Sequence, residues 1–418
     1  MKILFLQKRP LFPADHGAVI RTLNIVRHLA EWHDVTYLCN VQPGDEPHVR
    51  EMEELGLRMV TIPWRETSRD SLRFYGELAV NLFSSMPYNA AKDFDPRLRR
   101  RAEELLQQEP FDLVICDFVQ MAANAVGLSG PPKILFQHNV EAEIFERPAA
   151  TDRGVLRRSY MALQARKMRR FEGDSGREFD TVIAVSDRDR KQYAQRYGWS
   201  HVETIDTAVD VEFFQPDDTA VDPELVTFVG SMDWLPNVDG VEFMASDIWP
   251  RVRAARPNAR LQIVGRYPAA EVRQLDGMNG IEVTGGVPDV RPYYSKSAVV
   301  VVPLRIGGGT RIKIYEAMAM ARPVVSTPLG AEGLHFDEGE HIELAEDADL
   351  FAKKVLSLLA DSQRQDRMGQ AARQHVCENF STGVVARQFE KICVATAQPG
   401  DSTSRLTSAA GDTCEQGV

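Results

Sequence analysis

Residues 303–321 read PLRIGGGTRIKIYEAMAMA. An apolar strand ends at Pro303, and the glycines Gly307, Gly308 and Gly309 follow it. Thr310, Arg311 and Lys313 then lead into a helix that carries Glu316. Glycines at a strand-to-helix junction let backbone N–H groups approach a ligand closely. The helix start adds unpaired donors and about half a positive charge. Together these make an anion site of the kind that holds phosphate. Arg305, Arg311 and Lys313 add full charges. Two residues apart on a helix, Arg311 and Lys313 point about 200° from each other, so one of them is expected to face the anion. Glu316 lies three residues after Lys313, on a neighbouring face. Its carboxylate can accept two hydroxyl hydrogen bonds, as a ribose offers, or pair with Lys313. The plainer alternative is a glycine turn before an ordinary amphipathic helix. No Gly-Lys-Ser/Thr and no G-x-G-x-x-G is present in this segment, which excludes the two familiar nucleotide loops here.

Other candidates also stand after strands. Residues 9–21 contain His16-Gly17 directly before a helical pattern, a second loop that feeds a helix start. His138 ends the run KILFQH and opens H-N-V-E; its imidazole can hydrogen-bond a sugar hydroxyl or a leaving phosphate. Asn139, Glu141 and Asp117 rank below it, and Glu141 is equally a first-turn carboxylate that favours its helix. Gly286 and Val287 lie in a glycine loop after the run IEVTGG. Asp187-x-Asp189 has the look of a metal motif, but its place after TVIAVS reads as a helix start, with Ser186 as cap and acids in the first turn.

These loops need elements to hold them. Short apolar runs recur at Lys2, Asp34, Arg58, Leu113, Lys133 and Thr181, and again at Leu225, Arg260, Ile281, Ala298, Pro323 and His341. Between them lie helical patterns, as at Val19, Leu23, Val26, Leu29 and Ala30. Continuous apolar strands alternating with amphipathic helices indicate parallel sheets covered on both faces. The expected fold is α/β, with two doubly wound units in tandem facing across a cleft. The expected boundaries are 1–208, rejoined by a last helix 383–397, then 209–382, with a disordered tail at 398–418. In such sheets ligands bind outside the carboxyl ends of the strands.

Residues 72–86 add an apolar stripe of Leu72, Tyr75, Leu78, Ala79, Leu82, Phe83 and Met86 at helical spacing. The stripe reads first as core. The alternative is a face that grips a lipid-linked acceptor or a membrane surface, with Arg97, Arg99, Arg100 and Arg101 nearby to attract anionic lipid. The net charge of −11 argues against nucleic acid as the main partner. Five cysteines, an odd number with no metal-ligand spacing, suit a reducing compartment. The short run after Met1 reads as a strand rather than a signal peptide, and no apolar run is long enough to span a bilayer. The expected location is therefore cytoplasmic, with the inner membrane face as an option.

From Gly307 to Ala321, and on through RPVVSTPLGAEGL (322–334), the chain resembles the donor-binding core of glycosyltransferase family 4. The resemblance runs from Met1 to about Ala397 and is strongest over 228–380. It implies the GT-B architecture of two Rossmann-like domains and retaining transfer of a hexose-type sugar from a nucleotide-diphosphate sugar. It implies no metal and no cofactor beyond that co-substrate. A saccharide or lipid-linked hydroxyl acceptor follows, in polysaccharide or glycolipid assembly. Glu316 matches the second glutamate of the family's E-x7-E, which holds the donor ribose. The first falls on Gly308, so backbone N–H groups of Gly309 and Thr310 are expected to replace it; a subset of the family resembles this chain in carrying G-G-G-T-R-I-K. After Gly230 the family's arginine and lysine are missing, and Ser231, Asn237 and Asp239 stand nearby. Arg305, Arg311 or Lys313 is then expected to neutralise the diphosphate. His138 matches the histidine that lines the sugar pocket, Gly17 the family's first glycine loop, and Gly286-Val287 its nucleobase pocket. Two readings compete with a transferase: a non-catalytic nucleotide-sugar-binding subunit, and an epimerase of the same architecture.

Overall fold

The computed structural model describes residues 1–14, 17–68, 71–151, 154–307 and 311–398. The expected tail lies outside them from residue 399 on, as do Cys414, His16, Gly308, Gly309 and Thr310. The chain divides into two compact units. One comprises Met1–Ala184, Gln192–Glu203 and the described residues from Gln388 on; the other comprises Val185–Lys191 and Thr204–Arg387.

The first unit holds strands β1 (Lys2–Gln7), β2 (Asp34–Val41), β3 (Arg58–Pro63), β4 (Leu113–Asp117), β5 (Lys133–Phe136), β6 (Thr181–Ala184) and β7 (Val202–Thr204). Their order in the sheet is β3-β2-β1-β4-β5-β6-β7. The pairs from β3 to β6 are parallel. Leu4, Leu6, Val114, Cys116 and Leu135 are buried in one core cluster, as strands covered on both faces require.

The second unit holds β8 (Asp222–Val229), β9 (Arg260–Val264), β10 (Ile281–Gly285), β11 (Ser297–Val302), β12 (Val324–Ser326) and β13 (Glu343–Leu344). Their order is β10-β9-β8-β11-β12-β13, again all parallel. Both sheets follow the doubly wound order, which reverses at β1/β4 in the first unit and at β8/β11 in the second. This is the two-domain Rossmann-like GT-B fold, and sheets of this order hold ligands, as a rule, at the reversal point.

Close approach of β8 and β9 depends on one glycine. A Cβ on Gly265 would stand 1.7 Å from the carbonyl oxygen of Gly230. Gly265→Ala must therefore push apart the ends of two central strands. We expect a loss of roughly 3 kcal/mol, read as a lowered denaturant midpoint for the first unfolding transition. Among the described residues no helix is long and apolar enough to cross a membrane.

Candidate functional site

In the second unit, the segment after β8 meets the segment after β11. The helix Leu235–Phe243 follows the first, and the helix Ile312–Ala319 follows the second. The Lys313 ammonium reaches back across this junction. It donates to Asn237 Oδ1 at 2.8 Å and lies 4.4 Å above the Phe228 ring. Asn237 is itself held, its Nδ2 donating to the Ser231 carbonyl at 2.7 Å. A Cβ on Gly230 would stand 2.5 Å from the Lys313 ammonium, so glycine leaves the space this lysine fills.

Arg311 reaches the same place by a different route from the one its spacing suggests. It precedes the helix, with φ −93 and ψ 78, so helical phase does not govern it. The buried guanidinium lies 5.1 Å from the Trp234 ring, on the segment that follows β8. The expectation that Arg311 and Lys313 point apart is thus corrected: both cations serve one junction. Burial lowers the Lys313 ammonium to about pKa 7, with Arg311 pushing the same way and Glu316 opposing.

Glu316 lies one turn further along. It accepts a hydrogen bond from the Tyr294 hydroxyl at 3.1 Å. Burial raises its carboxyl above the usual range, against the Tyr294 hydrogen bond and the charge of Lys313. Among the described residues Lys313 and Glu316 form no ion pair with each other; Lys313 turns to Asn237 and Glu316 to Tyr294. Arg305, by contrast, turns to the Leu235–Phe243 helix, where Asp239 takes its Nη2 at 2.8 Å and its Nε at 3.2 Å. Gly307 adopts φ +107, and its Cβ would meet Pro236 at 2.7 Å, so the first glycine of the loop is required by backbone and by space. Gly308, Gly309 and Thr310 lie outside the described residues.

Gly286 and Val287 follow β10. A Cβ on Gly286 would stand 3.4 Å from Cβ of Arg266. Arg266 went unnamed in the sequence reading. It is exposed at the carboxyl end of β9, with Nε 3.4 Å from the Ser231 hydroxyl. The signal available was position alone, a cation directly after a parallel strand.

In the first unit the reversal at β1/β4 carries a second polar cluster. His138 follows β5 and is buried, its ring 4.4 Å from Phe136 and 5.2 Å from Phe118. His138 Nε2 lies 2.8 Å from Asp117 Oδ1 and 3.2 Å from Thr22 Oγ1. His138 Nδ1 lies 3.2 Å from the Arg21 guanidinium. Asp117, ranked low from sequence, is the centre of this cluster: it is fully buried and also accepts from Thr22 Oγ1 and Gln7 Nε2, both at 2.6 Å. Phe118, the next residue, has φ +89. A non-glycine side chain there costs about 1–3 kcal/mol and persists where the surroundings enforce it.

A cavity of about 300 Å³ opens here, lined by Gln7, Lys8, Thr22, Lys92, Gln120 and His138 among others. Gly17 starts the helix Gly17–Trp32 that bears Arg21 and Thr22, and nothing described lies within 4 Å of a Cβ built on it. Glu141 is buried and accepts from Gln120 Nε2 at 2.7 Å; burial and the nearby Glu172 lift its carboxyl to about 8. The carboxylate that serves this helix start is Glu172, which accepts the N–H groups of Glu141 at 2.9 Å and Ala142 at 3.2 Å. Asp187 and Asp189 start the helix Asp187–Tyr197, and Asp189 donates its N–H to the Ser186 hydroxyl at 3.1 Å, as a cap.

Comparison with known proteins bears on the two units and their fold. The family model "Glycosyltransferase Family 4" matches residues 16–213, and "Glycosyl transferases group 1" matches residues 223–361. An uncharacterized 44.6 kDa protein of the cps region of Klebsiella pneumoniae is 23% identical over 297 residues, 68% of this chain and 74% of that one. HepE of Anabaena, crystallised with UDP and glucose, superposes with a TM-score of 0.63 at 14% identity, covering 94% of this chain and 100% of its own. A mutant of S. aureus TarM, crystallised with fondaparinux, alpha-GlcNAc-glycerol and UDP, gives 0.64 at 11% identity, covering 94% and 100%. The chain is a glycosyltransferase, carrying a family 4 domain before a group 1 domain.

Proposed function

We propose that this enzyme moves a hexose-type sugar from a nucleotide-diphosphate sugar to a hydroxyl of a saccharide or lipid-linked acceptor, with retention, in polysaccharide or glycolipid assembly. The observation that carries the reading is the pair of cations at the β8/β11 reversal, Lys313 against Asn237 and Arg311 against Trp234. UDP is the favoured donor nucleotide, because HepE and TarM bind it in their complexes.

In this reading Lys313 and Arg311 neutralise the leaving diphosphate, helped by the backbone of the glycine loop and by the Ile312–Ala319 helix start. Glu316 accepts the ribose hydroxyls, and Gly286-Val287 border the base. His138 lines the sugar site in the first unit. Arg305 is the weakest of the proposed contacts, since Asp239 holds it. The acceptor hydroxyl attacks the face that the diphosphate leaves, and a donor phosphate oxygen takes its proton. The first unit serves the acceptor and the second the donor.

Calorimetric titration of UDP, GDP and ADP without added metal tests this. One nucleotide should bind, and Glu316→Ala should weaken it by about 1.5–3 kcal/mol, the worth of a hydrogen bond to a charged group. Binding that is indifferent to Glu316→Ala would make the junction a purely structural one.

A further inference from the structure

The Leu72–Asn81 helix carries its apolar stripe outward. Leu72 is 91% exposed, Val80 72% and Phe83 94%, with Tyr75 and Leu82 also exposed. On helical phase Leu72, Tyr75, Ala79, Val80 and Phe83 share one side. The opposite side is the one that packs: Phe74 meets the Tyr88 ring edge-on, Glu77 accepts from Thr67 and Tyr88, and Asn81 is buried. The reading of this stripe as core is corrected for Leu72, Tyr75, Ala79, Leu82 and Phe83, while Leu78 and Met86 are half-buried. The protein turns that side to water, where a contiguous apolar face marks an interaction site.

Its surroundings are basic in a chain of net charge −11. Arg65 and Arg73 line a cavity of about 670 Å³ together with Gly76, Glu77 and Val80 of this helix. Arg73 Nε donates to Glu77 at 3.0 Å, so Arg65 is the exposed cation there outside that pair. At the helix's far end, Lys167 donates to the carbonyls of Asn81 (2.5 Å) and Leu82 (3.4 Å), and Arg166 beside it is exposed. The Val155–Gly176 helix, which supplies both, also exposes Leu156 (89%), Arg157 and Arg158. Lys92 lines both this cavity and the cavity of His138.

We propose that this face docks the enzyme on an anionic lipid bilayer. The apolar side of the Leu72–Asn81 helix, extended by Leu82 and Phe83, enters the interface, and Arg65 and Arg166 meet the headgroups. Exposed apolar side chains bordered by an excess of basic over acidic groups fit an anionic surface. The same excess opposes self-association, since a twofold contact through this patch sets like charges against each other. Lys92 joins the docking surface to the His138 cavity, so an acceptor anchored in that bilayer has a polar path from the membrane to the site.

The test is co-sedimentation of the full chain with vesicles of phosphatidylcholine alone and with about a third phosphatidylglycerol. The protein should pellet with the anionic vesicles only, and added salt should release it. Leu72→Glu/Phe83→Glu should weaken vesicle binding at least tenfold or so, and Arg65→Glu/Arg166→Glu several-fold. Light scattering without lipid should show the same mass for wild type and both variants. No pelleting with anionic vesicles overturns the proposal, as does equal binding by the Leu72→Glu/Phe83→Glu variant. A dimer that the same substitutions dissociate overturns it in favour of a second copy. UDP titration of these variants is expected to match wild type, so failure here is separable from failure of the donor reading.

Discussion

Lys313→Met is expected to lower kcat by about 10²–10³-fold, the usual scale for removing one preorganised group that meets developing charge. The variant should fold as well as the parent or better. Its ammonium is buried against Phe228 and Asn237, and burial disfavours the charged form. A normal unfolding midpoint with a collapsed rate therefore separates chemistry from folding. The pH profile gives a second reading. In the free protein the Lys313 pKa is lowered to about 7. A diphosphate arriving beside it raises that pKa, because the charged form gains a partner. Below pH 7 the lysine is already protonated and affinity is full. Above pH 7 each binding event must take up a proton, so affinity falls as pH rises, by up to about tenfold per unit. Nucleotide phosphates titrate near pH 6, so a window of about 7.5 to 9 isolates the lysine. Calorimetry in buffers of different ionisation enthalpy should show proton uptake for wild type and none for Lys313→Met. A flat profile for wild type would remove Lys313 from the phosphate site.

Twelve strands, from Lys2 to Leu344, stand where the apolar runs place them, because fully buried parallel strands need continuous apolar residues. The missed strand, Val202–Thr204, is three residues of mixed polarity and leaves no pattern to read. The glycine loop and its cations were legible because glycine and charge at a strand end have few other uses. The convergence of Arg311 and Lys313 was not legible, since it turns on where the helix begins, and Arg311 lies just before it. The stripe at 72–86 shows the same limit from the other side. Periodicity says which residues share a face, and only tertiary packing says whether the face looks in or out. Asp117 was undervalued because its importance comes from Thr22 and His138, each brought to it by a separate βα crossing.

His138→Ala should reduce kcat/KM on the order of 10²-fold, comparable with the loss of one polar contact to the reacting sugar, while leaving nucleotide binding by the second unit intact. The geometry constrains what His138 can do. Nε2 faces the Asp117 carboxylate, which accepts and therefore holds a proton on that nitrogen. Nδ1 is left to face the Arg21 guanidinium, which can only donate. The imidazole is thus oriented with Nε2 to Asp117 and Nδ1 to Arg21, in contact with Phe136 and Phe118. A ring so fixed positions a sugar and its neighbours better than it shuttles protons. His138→Gln distinguishes the two roles that remain. Its amide can still donate to Asp117, so the unfolding midpoint should recover relative to His138→Ala. If the ring itself borders the sugar, the rate stays low and KM for the donor sugar rises while UDP affinity does not. If glutamine restores rate and stability together, His138 acts through Asp117 and Arg21 as a positioning residue, and the groups that touch the sugar are those around it in the 300 Å³ cavity, Lys8, Lys92 and Gln120.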